Sequence, residues 1–253
     1  MPKKVKKPTA ARKRRERREW EKALIAEIRH RRALNSFARA RAKVPKNDVL
    51  SVYPSFRDNT FPVHTIQNKS VPKWRYLSQW IKVFAATWVM NENGERCLAF
   101  SINLHPVFEA ELVAKPPPFD VRAYIRNGVS RELRKVLKEP PTFYFVLEGR
   151  SRDFRSKTPL HIHGGMWAKD PSQDDAIRLA LKRACGHYIK GRFPMRSAAR
   201  LQQAYGLVNR WASYCMKTAR IRDDRLAKKR VAMSQPLTQA AEKWWKITIG
   251  EDE

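Results

Sequence analysis

His161 and His163 stand two apart in residues 160–167 (LHIHGGMW). Alternate side chains of an extended strand share a face, so both imidazoles point one way and Ile162 the other. Two imidazoles on one face can hold a divalent metal, although an H-x-H pair alone fits two exposed strand histidines equally well. Gly164 and Gly165 follow and leave room for another backbone, or a DNA strand, to come close. Glu148 ends the preceding aromatic segment, residues 142–148 (TFYFVLE), and reaches the histidines if the two segments pair. Two histidines and a carboxylate suit Mn2+ better than Mg2+. A carboxylate there can instead pair with Arg150, Arg152 or Arg155 in the loop that follows.

A third piece is Tyr214 and Lys217, in residues 211–217 (WASYCMK). Positions three apart on a helix share a face. Phenols ionise near pH ~10, so a nucleophilic tyrosine needs help. A neighbouring ammonium favours the phenolate or brings positive charge to a scissile phosphate. The same spacing fits a core tyrosine beside a surface lysine. Tyr205 is a rival phenol without a lysine three residues on, about two and a half helical turns before Tyr214. Tyr188 is a weaker rival, and His105 reads as a structural residue at a strand end.

The elements that must position these groups follow from patterning. Residues 80–90 and 97–104 read as strands joined through the turn signal Asn91-Glu-Asn-Gly94, a hairpin. Residues 119–137 have helical spacing between two proline clusters. Residues 142–148 and 160–167 read as strands, 170–184 and 197–222 as helices, and 236–249 as a short amphipathic helix carrying Trp244 and Trp245. Sequential antiparallel strands with helices to one side make an α+β domain. The chain divides into a basic arm at 1–46, helical or disordered, a domain at 47–230 and an amphipathic tail at 231–253.

Composition narrows the partner. Of 253 residues, 53 are Lys or Arg and 24 Asp or Glu, a net charge of +29, while 42% are hydrophobic, enough for a core. Such an excess repels itself unless a polyanion is present, and nucleic acid fits because each neutralised phosphate releases a condensed counterion. Arg12, Arg14, Arg15, Arg17 and Arg18 precede a thin apolar stripe of Trp20, Ala23, Leu24 and Ile28. This reads as a DNA-binding arm that orders on phosphate, or else as a disordered tail or import-like address. Cys97, Cys185 and Cys215 form no CxxC pair, which argues against a zinc ribbon or a disulfide framework and fits a reducing compartment. No apolar run approaches the ~20 residues of a membrane span and no secretory signal is visible. The expected location is the cytoplasm, associated with DNA or the nucleoid, with no membrane partner.

Taken in order, these pieces resemble the HUH endonuclease superfamily, and within it the single-tyrosine initiators of rolling-circle replication. Residues 158–165 (TPLHIHGG) are similar to its metal-binding motif, 99–106 (AFSINLHP) to its first strand motif, and 214–217 to its Y-x-x-K motif. Glu148-Gly149 is similar to the upstream acidic position of the initiators of circular single-stranded DNA viruses. The resemblance spans residues 80–222. It implies an antiparallel sheet of about five strands with flanking helices, the metal site on the sheet face and the tyrosine helix beside it. It implies Mg2+ or Mn2+ held by Glu148, His161 and His163, with Tyr214 and Lys217 catalytic. The implied reaction is nicking and rejoining of single-stranded DNA at a replication origin through a 5′-phosphotyrosine. Arg150, Arg152, Arg155 and Lys157 lie in the loop beside the histidines, as strand contacts or as a solvated loop. No G-x-x-x-x-G-K-[ST] occurs, so a helicase would act in trans. A relaxase or a single-tyrosine transposase would share these motifs. The reading from another class is a non-enzymatic nucleic-acid binder.

Overall fold

Period-two alternation sorts the central strands into two faces. On one face lie Phe143, Phe145 and Leu147 with Leu160, Ile162 and Met166, all part of one buried core, together with Leu98, Phe100 and Ile102. On the other lie Tyr144, Val146 and Glu148 with His161, His163 and Gly165. The pairing fixes this division: Leu147 lies opposite Ile162 and Glu148 opposite His161, while Ile102 lies opposite Ile162 and Asn103 opposite His161.

The computed structural model describes residues 10–12, 14–16, 18–20, 22, 73–92, 96–150, 157–189, 191–193, 199–203, 208–219, 221 and 223–248. Contacts group the chain into two units, Gln79–Trp244 and Met1–Ser78 with Trp245–Glu253. In the larger unit the elements run α1 (Gln79–Glu92), β1 (Cys97–Asn103), α2 (Pro106–Val113), α3 (Val121–Leu137), β2 (Phe143–Arg150), β3 (Lys157–Trp167), α4 (Asp174–Ala184), β4 (Ala199–Gln203), α5 (Val208–Cys215), β5 (Val231–Met233) and α6 (Gln235–Thr248), the last extending past the unit boundary. The five strands form one sheet in the order β4-β1-β3-β2-β5, with every pairing antiparallel. The α+β class with an antiparallel sheet and flanking helices is therefore observed.

Local chemistry sets the helix ends. Asp120 caps α3 by accepting from Ala123 N at 3.0 Å, and Lys138 ends it in the left-handed region at φ 59°. Val121, Ile125, Val129 and Leu133 recur at four-residue spacing and bury one stripe of α3 in the core. His105 caps α2 through its ring, which accepts from Val107 N, and Pro106 takes the first helical position.

Several expected elements differ. Residues 80–90 form most of α1 rather than a strand. Ile81 and residues 83–90 are all buried, so this helix has no polar face to betray its period. The hairpin is accordingly replaced by a helix leading into β1. Residues 197–222, expected as one helix, contain the edge strand β4 and the short helix α5. The strand β5 pairs with β2, so the expected tail at 231–253 begins inside the sheet.

In the smaller unit, residues 10–12, 14–16, 18–20 and 22 are helical, and Arg12, Arg14, Arg15 and Arg18 are exposed. Trp20 is buried and meets Trp245 edge to face at 5.9 Å. Arg17, Arg152, Arg155 and Tyr205 lie outside the described residues. Among the described residues, no helix is long and apolar enough to cross a membrane. All three cysteines are buried and none forms a disulfide.

Candidate functional site

Strand pairing delivers the three expected metal donors to one spot. Glu148 and His161 are opposite each other across β2 and β3, and His163 follows on the same face. Glu148 Oε2 lies 3.4 Å from His161 Nε2 and 3.3 Å from His163 Nε2. One donor atom from each residue falls within 4.8 Å of the others. Two ligands ~2.1 Å from a shared ion at right angles are ~3 Å apart, so the spacing fits a cation.

The ring chemistry fits as well. His161 Nδ1 lies 2.9 Å from the carbonyl of Pro159 and so donates to it, which leaves Nε2 as the lone-pair nitrogen of the neutral ring. His163 is 4% exposed. Burial pushes its pKa down to about 4, against the pull of Glu148 and with the push of His161 and Lys217. Its Nδ1 is buried and has no hydrogen-bond partner among the described residues. Burial alone would raise the Glu148 carboxyl, but its close polar contacts with His161, His163 and the Lys217 ammonium outweigh that and hold it well below the ordinary carboxylate range. The site therefore keeps an anionic carboxylate beside a neutral imidazole. Glu148, His161 and His163 form a group that can hold a metal ion.

Tyr214 sits on α5 beside this group, its ring centroid 5.0 Å from that of His163. Lys217 Nζ lies 3.8 Å from the centre of the Tyr214 ring. It also donates to Glu148 Oε2 at 2.7 Å and to His163 Nε2 at 3.3 Å. The Y-x-x-K pair meets as expected, but not on a continuous helix. α5 ends at Cys215, and Lys217 lies in the following turn, its N–H bonded to Tyr214 O at 3.2 Å.

Other residues of the site were not singled out in the sequence. Trp211 stacks on Tyr214 at 5.2 Å, interplanar angle 14°, and its Nε1 donates to Gly164 O at 2.9 Å. This fastens the tyrosine helix to the histidine strand. Trp211 lies three residues before Tyr214, the spacing that already paired Tyr214 with Lys217. Thr218 N donates to Glu148 Oε1 at 3.4 Å. The room at the glycines is filled by protein, not left for DNA. A Cβ on Gly164 would lie 2.0 Å from Tyr144 O, and one on Gly165 would lie 3.1 Å from the Tyr144 ring.

The basic loop is anchored at its ends. Arg225 Nη1 donates to Glu109 Oε1 at 2.7 Å and to Thr158 O at 3.0 Å. Its Nη2 donates to Asp223 Oδ2 at 2.9 Å and to Gly149 O. Nothing in the local sequence pattern links these positions. Lys157, an expected strand contact, pairs with Asp224 at 2.9 Å with both side chains exposed. Arg150 is the last residue of β2, beyond a register shift that follows Glu148. Tyr188 lies past α4 with φ 58°, and His105 has the capping role expected of a structural residue. No family model, curated protein or solved structure matches the chain.

Proposed function

We propose that the chain nicks single-stranded DNA with a tyrosine nucleophile beside a divalent metal, as HUH endonucleases that start rolling-circle replication do. One convergence carries this reading: a two-histidine, one-carboxylate donor set within 4.8 Å, flanked by a tyrosine ring 5.0 Å from one of those imidazoles. Net charge +29 supports a nucleic-acid substrate.

A divalent ion bound there supplies Lewis-acid polarisation of the scissile phosphate, and two imidazoles favour Mn2+ over Mg2+. Tyr214 attacks phosphorus through its phenolic oxygen, giving up the phenol proton. The bond from phosphorus to the 3′ oxygen breaks, and that oxygen takes up a proton to become a free hydroxyl. One phosphodiester is exchanged for another, so a 3′-hydroxyl can reverse the step and rejoin the strand. Lys217 offsets negative charge on the phenolate and the phosphoryl oxygens. Trp211 and the β3 backbone fix the approach of Tyr214.

The test is incubation of the full chain with labelled single-stranded DNA in Mn2+, in Mg2+ and in chelator. A covalent protein–DNA adduct is expected with metal, absent in chelator and absent for Tyr214→Phe, which should still bind DNA. DNA binding with no metal-dependent adduct in the wild type would favour a non-enzymatic nucleic-acid binder.

A further inference from the structure

The turn after α4 displays two aromatic rings that the proposed chemistry does not use. Tyr188 is 46% exposed and Phe193 is 83% exposed. Tyr188 adopts φ 58°, a left-handed conformation that a non-glycine residue keeps only where its surroundings enforce it. Here they do. His187, just before it, is fully buried and donates from Nε2 to Asn103 O at 2.8 Å. Gly186 has φ 87° and lies so close to the core that a Cβ would sit 2.4 Å from Phe108. Tyr188 N donates to Arg192 O at 2.7 Å, and the Arg192 guanidinium pairs with Glu111 on α2.

These contacts fix the backbone of the turn on either side of Tyr188 before any partner arrives. The anchor also locates it. Asn103, which accepts from His187, is the cross-strand partner of His161. The turn therefore sits at the end of the sheet that carries the candidate metal group. Lys182 Nζ lies 6.0 Å from the Tyr188 ring and adds positive charge.

We propose that Tyr188 and Phe193 are a stacking platform for unpaired bases of a single strand held at the metal group. This rests on the nickase reading for the identity of the strand. Exposed rings recognise the flat faces of unpaired bases, which a duplex hides in its own stack. The charge of +29 calls for a polyanion, which an apolar protein partner would not supply.

The test uses full-length chain and mixed-sequence oligonucleotides, single-stranded and duplex, with affinity read by fluorescence anisotropy in chelator so that cleavage is silent. Tyr188→Gly combined with Phe193→Ala removes both rings, and glycine accepts the positive φ at residue 188 without strain. Single-strand affinity should fall about tenfold or more, while duplex affinity stays within about twofold. Tyr188→Phe with Phe193→Tyr keeps both rings and should bind like the wild type. Unchanged single-strand binding in the ring-less chain overturns the proposal, as does an equal loss on duplex. A wild-type dimer that the ring-less variant fails to form, with DNA affinity unchanged, also overturns it and assigns the rings to self-association. If the wild type binds single strands and the rings are silent, only this inference fails. If it binds no single strand at all, the nickase reading falls with it.

Discussion

The Lys217 ammonium lies 2.7 Å from Glu148 Oε2 and 3.3 Å from His163 Nε2, so a cation carried by the chain sits among the donors of the candidate metal group. An incoming metal must displace it, and the displaced ammonium has the Tyr214 ring 3.8 Å away as its other neighbour. Lys217→Met removes the competitor. Mn2+ affinity should rise by about tenfold, the lower end of what groups around a metal typically contribute. Without metal the buried Glu148 carboxylate loses its closest charged partner, so the chain should lose about 3 kcal/mol in urea unfolding with chelator present. Saturating Mn2+ should restore most of that loss. Calorimetric titration beside unfolding with and without metal reads both effects. Weaker Mn2+ binding in the variant would show that Lys217 supports the metal rather than competing with it.

Arg225 ties together segments that share no sequence neighbourhood: Glu109 on α2, Asp223, and the backbones of Gly149 and Thr158 on either side of the basic loop. Glu109 in turn accepts from Leu160 N at 2.8 Å, one residue before His161. Arg225→Ala removes the guanidinium that ties the fully buried Asp223 carboxylate to Glu109, with Arg230 still acting on Asp223, an expected cost of about 3 kcal/mol. Arg225→Lys should recover little, because one ammonium cannot replace a planar fork that meets four acceptor groups at once. In chains that remain folded, Mn2+ affinity should fall about tenfold through misplaced Glu148 and His161. Full stability in Arg225→Lys would reduce the clamp to a single ion pair.

How much of this was legible depended on where the information lay. The strands β2 and β3 could be read because residues 142–148 form a short aromatic run bounded by prolines and a glycine, and His161 and His163 had to share a face whatever the strand paired with. Only the pairing of β2 with β3 had to be assumed to bring Glu148 to them. The helix α1 was illegible: almost wholly buried, it shows a mostly apolar segment that suits a strand equally well. The strand β4 (ARLQQ) is polar at the sheet edge, and β5 is three residues long, so both owe their extended form to the partner strand. Tyr214 and Lys217 were correctly paired by spacing, though the contact is made by a turn instead of a helical face. The Arg225 clamp joins positions far apart in the chain, which no local pattern can reveal.

Adjacent glycines should respond differently to the same small change. Gly164 sits where a Cβ would be 2.0 Å from Tyr144 O and 2.6 Å from Phe100 Cζ. Backbone cannot yield as a side chain can, so Gly164→Ala should cost more than about 3 kcal/mol or break the pairing of β2 with β3. It also disturbs the carbonyl that receives the Trp211 indole and so the placement of Tyr214. Gly165→Ala would meet the Tyr144 ring at 3.1 Å, a side chain with some freedom to shift, and should cost about 1–2 kcal/mol. Chemical unfolding of both variants checks the contrast. Equal costs would contradict the close backbone approach at Gly164.

His187 should make stability depend on pH. Its ring is fully buried and donates from Nε2 to Asn103 O, while Nδ1 is buried with no partner among the described residues. A second proton at Nδ1 would thus be placed where nothing accepts it. Burial lowers its pKa below 6.5; the Asn103 carbonyl opposes this, and the charges of His105 and Lys182 reinforce it. The unfolded chain takes up the proton near pH 6.5, and the folded chain only at lower pH. In between the unfolded state binds more protons, so stability rises with pH: this contribution is present above 6.5 and is lost as pH falls below it. His187→Gln keeps an N–H donor for Asn103 and removes the titration. The drop in urea midpoint between about pH 7 and about pH 5 should therefore be smaller in the variant than in the wild type. Identical drops would mean that other groups carry the acid sensitivity and that His187 anchors the turn without sensing pH.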